Sequence, residues 1–165
     1  MSFPFQLSMA LRSSVALALL CGAAAARAGL GGTVADLNGD AALLRARALA
    51  APLALRSAVG ASFSRHQILL AGGGSAVEFA DANGQVFAVA WSAPAMPDLA
   101  VLLGSYKAEL DAAQQQPAGP RSLHQLRANS GDWVIVSGGH LRGFHGYSYL
   151  RSALPAGFDL GELAQ

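Results

Sequence analysis

The chain has 165 residues, of which 53% are hydrophobic and 13% charged, and its formal net charge is +1. That balance holds no basic surplus for neutralising phosphates, which disfavours nucleic-acid binding. The length suits one ordinary domain rather than two, and a single cysteine excludes an internal disulfide.

Residues 1–28 have the layout of a cleavable export signal. Arg12 gives the start a positive charge, and Ser13 to Ala26 is free of charge and dominated by Ala, Leu and Val. Ala26-Arg27-Ala28 then places small residues at the two positions a signal peptidase needs, so that Gly29 becomes the first mature residue. The apolar run is about 14 residues, short of the roughly 20 that cross a bilayer, and a removed signal is preferred to a permanent anchor. A lipoprotein signal needs a small residue before its cysteine, whereas Leu20 precedes Cys21. Taking 28 from 165 leaves 137 residues without cysteine. Loss of Arg12 and Arg27 leaves nine basic side chains against ten acidic ones, a mature charge of −1.

Residues 29–58 read as a leader. Its alanine- and leucine-rich stretch from Ala41 to Ala51 is either a short helix capped by Asp40 or an unordered arm, and Pro52 disfavours helix before it. A single domain is expected over 59–162. Phe63 to Ala71 reads as a strand stopped by Gly72-Gly73-Gly74. Ser75 to Ala80 and Gln85 to Ser92 flank Asn83-Gly84, a strong hairpin signal. A two-residue turn there sets Phe79 opposite Ala88, Glu78 opposite Val89 and Val77 opposite Ala90. One face then carries Val77, Phe79, Val86, Ala88 and Ala90, and the other Glu78, Phe87, Val89 and Trp91. The second strand is apolar on both faces, as a central strand is.

Pro97-Asp98 opens a helix to about Ala113, with Leu99, Leu102, Leu103, Tyr106 and Leu110 forming one apolar stripe. Residues 114–120 read as a loop, Asp132 to Ser137 as a strand, and His140 to Leu150 as another after a Gly138-Gly139 turn. Pro155-Ala156-Gly157 closes the ordered part. The expected fold is α+β: a small, mostly antiparallel sheet of four to six strands against one main amphipathic helix, after the signal peptide.

The stretch from Gly84 to Tyr106 (Gly-Gln-Val-Phe-Ala-Val-Ala-Trp-Ser-Ala-Pro-Ala-Met-Pro-Asp-Leu-Ala-Val-Leu-Leu-Gly-Ser-Tyr) resembles the central signature of an exported bacterial family known as domain of unknown function 2844. Ser137 to Leu150, with Leu154-Pro155-Ala156-Gly157, resembles its second signature, and Gly29-Leu30-Gly31-Gly32 is similar to its mature start. The likeness spans roughly residues 29 to 162. It implies an exported protein and assigns no activity, cofactor or catalytic residue. The family pattern has arginine where Val77 stands and tyrosines where Phe63 and Phe79 stand, so a polar site built on those positions would be weakened here.

Four residues are candidates for binding. On a straight strand His140, Arg142 and Phe144 share one face, and His145 takes the other. Arg142 would clamp a carboxylate or phosphate; the plainer reading is an exposed face with Arg142 paired to Asp132 or Asp98. Glu78, on the face of Trp91, would carry a raised pKa and serve as a general acid; the plainer reading is a rim carboxylate in water or paired to Arg65. His66, His124, His140 and His145 fit no metal-ligand spacing, and no Gly-x-Ser-x-Gly nucleophile elbow occurs. Ser130, Ser137 and Ser148 read as ordinary strand or turn serines, Asp98 as a helix-start partner, and Gly72-Gly73-Gly74 as a hairpin loop. No cofactor or metal is expected. The leading expectation is a non-enzymatic exported module that binds an envelope protein or a small ligand. The rival is a hydrolase-like enzyme using Glu78, His140 and Arg142, which requires those three to converge.

Overall fold

The computed structural model describes residues 29–49, 51–115 and 125–164. The signal segment with Cys21 and Ala28, the 116–120 part of the loop, and His124 lie outside them.

A turn of 3-10 helix, Val34–Asp36, leads into α1 (Leu37–Leu43). Five strands follow: β1 (Ala46–Ala48), β2 (Leu53–Arg56), β3 (Ser62–Leu70), β4 (Ser75–Asp81) and β5 (Val86–Ala93). After α2 (Leu99–Leu103) and α3 (Tyr106–Gln115) come β6 (Gln125–Ser130), β7 (Trp133–His140) and β8 (Gly143–Leu150), then 3-10 turns at Arg151–Ala153 and Leu160–Leu163. The strands form one antiparallel sheet in the order β1-β3-β4-β5-β8-β7-β6. β2 lies in line with β1 along the same edge of β3. Two meanders, β3–β5 and β6–β8, therefore meet at a β5–β8 seam.

The α+β class stands, but the sheet has eight strands rather than four to six. The three additional ones are edge pieces. β1 and β2 have three and four residues, and β6 reads Gln-Leu-Arg-Ala-Asn-Ser, so none shows a long buried alternation. Within residues 29–58, read above as a leader, β1 and β2 pair with β3 and Leu37 and Leu44 pack against the core. The early helix ends at Leu43 rather than Ala51 because Ala46–Ala48 pairs with β3.

The central hairpin follows the expected register along most of its length: Phe79 faces Ala88, Glu78 faces Val89 and Val77 faces Ala90. Its tip differs. Asp81 and Gln85 close a three-residue loop, in which the Asp81 carboxylate accepts the Asn83 and Gln85 N–H groups at 2.8 and 2.9 Å. Ala80 consequently faces Val86, and a bulge at Phe87 restores the register by Phe79. The bulge exchanges two side chains: Phe87 joins the face of Phe79, and Val86 joins that of Trp91. β5 is flanked by β4 and β8 and is central as expected.

Two further turns differ. The helix expected over 97–113 is broken at Gly104, whose φ of 54° leaves the helical region. Asp98 caps α2, its carboxylate accepting the Ala100 N–H at 2.8 Å. Gly138 and Gly139 do not turn the chain; they continue β7 to His140, and Leu141-Arg142 forms the hairpin tip with Arg142 at φ 66°.

Both faces of the sheet are covered. On one, Leu102, Leu103 and Leu110 of the helical stripe pack with Leu30, Ile68, Trp91, Trp133 and Ile135, and Tyr106 stacks on Trp133 at 6.2 Å. On the other, the C-terminal segment, expected to be a tail, forms a second layer. Phe158 meets Phe63, Phe79 and Phe87 edge-on at 5.2, 5.8 and 5.0 Å, and Leu163 is buried beside them. Val77, Phe63 and Phe79, the positions where the resembled family pattern is polar, all lie in this apolar cluster.

Gly146 is where β8 passes under the Trp91 indole. A Cβ there would fall 2.5 Å from the ring and 2.7 Å from the Val136 carbonyl oxygen. Gly146→Ala is expected to lose about 1–3 kcal/mol of stability by overpacking, read by urea denaturation with tryptophan fluorescence. An unchanged midpoint would show that the ring has room to move.

Candidate functional site

Alternation along β4 sends Glu78 to the helix-covered face, in one row across the sheet with His66, Val89, Ser148 and Ile135. Glu78 is 0% exposed, and neither of its carboxylate oxygens has a hydrogen-bond partner among the described residues. An ionised carboxylate in such a place is strongly disfavoured. Burial, with the charge of Asp40 adding to it, pushes the Glu78 carboxyl up to about 8. Glu78 is therefore an interior acid, protonated at neutral pH, and not a rim carboxylate paired with Arg65.

Other polar groups surround it. Asp40 on α1 is 2% exposed and accepts the Gly29 N–H at 2.7 Å. His66 on β3 directly faces Glu78 across the strands, and its Nε2 lies 2.9 Å from the Ser64 hydroxyl. Burial holds the His66 imidazole below its ordinary value, so it is neutral at pH 7. In the same row the Ser148 hydroxyl accepts the Trp133 Nε1–H and donates to the Val134 carbonyl, each at 2.8 Å. Asp40, His66 and Ser64 were not candidates from sequence. The signal for the last two was there: Ser64 and His66 are two apart in a strand, on the face that meets Glu78.

The four expected site residues are not brought together. Trp91 is 1% exposed, in the core, with its Nε1 unpartnered among the described residues. His140 and Arg142 stand exposed at the β7–β8 tip, beside a 92% exposed Leu141. Ile135, in the row of Glu78, is five residues along β7 from His140 and three strands from Glu78, a separation of about 20 Å. Asp132 is not Arg142's partner: its carboxylate accepts both the N–H and the hydroxyl of Ser152 at 2.6 Å, and those bonds hold it below the usual carboxylate range. Asp98 is occupied as the α2 cap. Among the described residues no group of three His, Cys, Asp or Glu side chains is placed to hold a metal. No helix there is long and apolar enough to cross a membrane.

Of two surface depressions formed by the described residues, neither is lined by Glu78. One, of about 210 Å³, lies between the α1–β1 turn, the β3–β4 loop and the β5–α2 link. Leu43, Leu44, Leu70 and Met96 give it an apolar wall, with Arg45 and Asp98 as its charged groups. Leu43 and Met96 are 59% and 43% exposed there. Gly72 and Gly73, part of the expected hairpin loop, also line it. The other, wider and shallower, is edged by Leu53, Leu55, Arg65, Asp159 and Glu162.

The pattern of the family described as Protein of unknown function (DUF2844) matches residues 26–163. The chain belongs to that family. No curated protein and no solved structure matches it. For this DUF2844 chain, the buried acid and the apolar cleft are separate features with separate consequences.

The acid yields a pH dependence. Glu78 titrates near 4.5 when unfolded and near 8 when folded. Between those values the folded chain keeps a proton that the unfolded chain has released. The stability from this proton is thus complete below about pH 4.5 and is lost as pH rises through 8. The loss is on the order of 5 kcal/mol, and Glu78→Gln flattens it. Urea titrations of both chains from pH 4.5 to 8.5 measure the difference, and parallel curves would remove Glu78 as its source.

Proposed function

We propose that the chain is an exported, non-enzymatic binding module of the bacterial periplasm or exterior, made with a signal peptide that is cut between Ala28 and Gly29. The layout of residues 1–28 supports export: a positive start, a short apolar run and Ala-Arg-Ala before the cut.

The observation that carries the binding reading is the cleft walled by Leu43, Leu44, Leu70 and Met96. Large side chains remain in water there although the same chain buries two extensive cores, and clustered exposed apolar groups mark interaction sites. Size decides the class of partner. Pockets for drug-sized ligands run from roughly 300 to 1,000 Å³, whereas this one is about 210 Å³. It suits one or two side chains of a protein partner better than a cofactor. Arg45 at its edge favours an acidic residue next to the inserted apolar one. The hydrolase-like alternative draws less support, because Glu78 is sealed inside while His140 and Arg142 stand at a distant tip.

A photo-crosslinking amino acid at Met96 of the exported full chain is expected to capture an envelope protein in intact cells. The same probe at exposed Arg127 on β6 captures none. Arg45→Glu should lower capture about tenfold. Equal labelling from both positions, or an isolated monomer from each, would end the cleft reading.

A further inference from the structure

One end of the sheet collects exposed apolar and cationic side chains. The α1–β1 turn, the β3–β4 loop, the β5–α2 link and the β7–β8 tip all lie there, because β3, β5 and β7 end where β1, β4 and β8 begin. At that end Leu43, Met96 and Leu141 are 59%, 43% and 92% exposed, and Arg45 and Arg142 stand exposed among them. Neither arginine forms an ion pair among the described residues. Asp98 is the one acid in these four segments, and it is committed to capping α2. At the opposite end β4 finishes in Asp81, and the β6–β7 turn holds Asp132 with Arg151 beside it.

The β7–β8 tip stands out within this end. Leu141 is the most exposed large apolar side chain among the described residues. His140 pairs with Gly143, so Leu141-Arg142 is a two-residue turn in which Arg142 takes a φ of 66°. Asn-Gly or Asp-Gly makes a tight turn with less steric cost. The turn by itself therefore calls for neither a leucine nor an arginine.

We propose that this end of the sheet docks on an anionic lipid surface, with Leu141 entering the headgroup region and Arg142 meeting the lipid phosphates. A convex tip suits a fluid surface, which needs no preformed pocket to receive it. Leucine leaves water as it enters, while the arginine stem lies along the apolar layer and its guanidinium stays at phosphate level. His140 adds a hydrogen-bond donor beside it, and the charge of Arg45 on the neighbouring turn adds to the attraction. The formal net charge is only +1, so the pull comes from the distribution of charge rather than its sum, and it orients the molecule with Asp81 and Asp132 away from the lipid. One leucine and two arginines make the attachment weak and reversible. This goes beyond the binding reading above: the cleft opens at the same end, so docking sets it beside the membrane.

Vesicles test it. Phosphatidylcholine vesicles with roughly one phosphatidylglycerol in three are expected to sediment the exported full chain, and pure phosphatidylcholine vesicles to leave it in solution. Salt at about 0.5 M should release it. Leu141→Ser with Arg142→Ser should lower binding to the anionic vesicles about tenfold. Leu53→Ser with Arg56→Ser removes another exposed leucine and arginine, on β2 nearer the opposite end, and should leave binding unchanged. Trp91 and Trp133 are both buried, so an unchanged emission spectrum shows that each variant has kept the fold. Equal binding to neutral vesicles, or the same result from both double variants, would overturn the proposal. So would a photo-crosslinker at Leu141 that captures an envelope protein in intact cells while the vesicles bind nothing, because the tip would then have a protein partner. The two readings fail separately: vesicle binding reports the tip, and capture from Met96 reports the cleft.

Discussion

Strand β5 is buried along nearly its whole length and on both faces. A strand in that position obliges the chain to provide two covering layers, and the first and last described segments supply them with the helices. Residues 29–44 with α2 and α3 close one face over Ile68, Trp91 and Ile135. The segment from Leu154 to Leu163 closes the other over Phe63, Phe79 and Phe87. Removing either segment would expose the large apolar side chains beneath it, so both are structural layers rather than appendages.

The same demand explains the polar interior. Val89 and Trp91 must be covered, so every residue in register with them on the neighbouring strands is covered too, Glu78 and Ser148 included. Ser148 is satisfied by Trp133 and the Val134 carbonyl. Glu78 is left to the proton it retains and to the charges around Asp40. A buried acid without partners is destabilising by itself, and keeping its proton at neutral pH limits that cost.

The central hairpin, the strand status of β3, β7 and β8, and the leucine stripe were legible because their side chains alternate or recur with a clear period against a buried face. What escaped had weak or conflicting local signals. β1, β2 and β6 sit at edges, and the first two bury little. The Phe87 bulge has no mark in an unbroken apolar run. Gly138-Gly139 looks like a turn, yet a tertiary contact decides the matter, since a Cβ on Gly139 would meet the Phe144 backbone of the paired strand. Glu78 was legible as a candidate, but not its depth, which depends on α1 and the segment around Leu30. The cleft was not legible at all, because Leu43, Leu70 and Met96 come from three separate turns.

The seam between the two meanders joins distant parts of the chain. Ala93 and Phe144 are 51 positions apart, and Ala88 and Tyr149 are 61. The hairpins on either side close through loops of a few residues and form at little entropic expense, while the seam must wait for a long loop to close. During synthesis the first meander, with β5 at its open border, precedes its partner strand by about fifty residues. For that interval a strand apolar on both faces offers an unpaired edge, where pairing with a second nascent copy competes with pairing to β8.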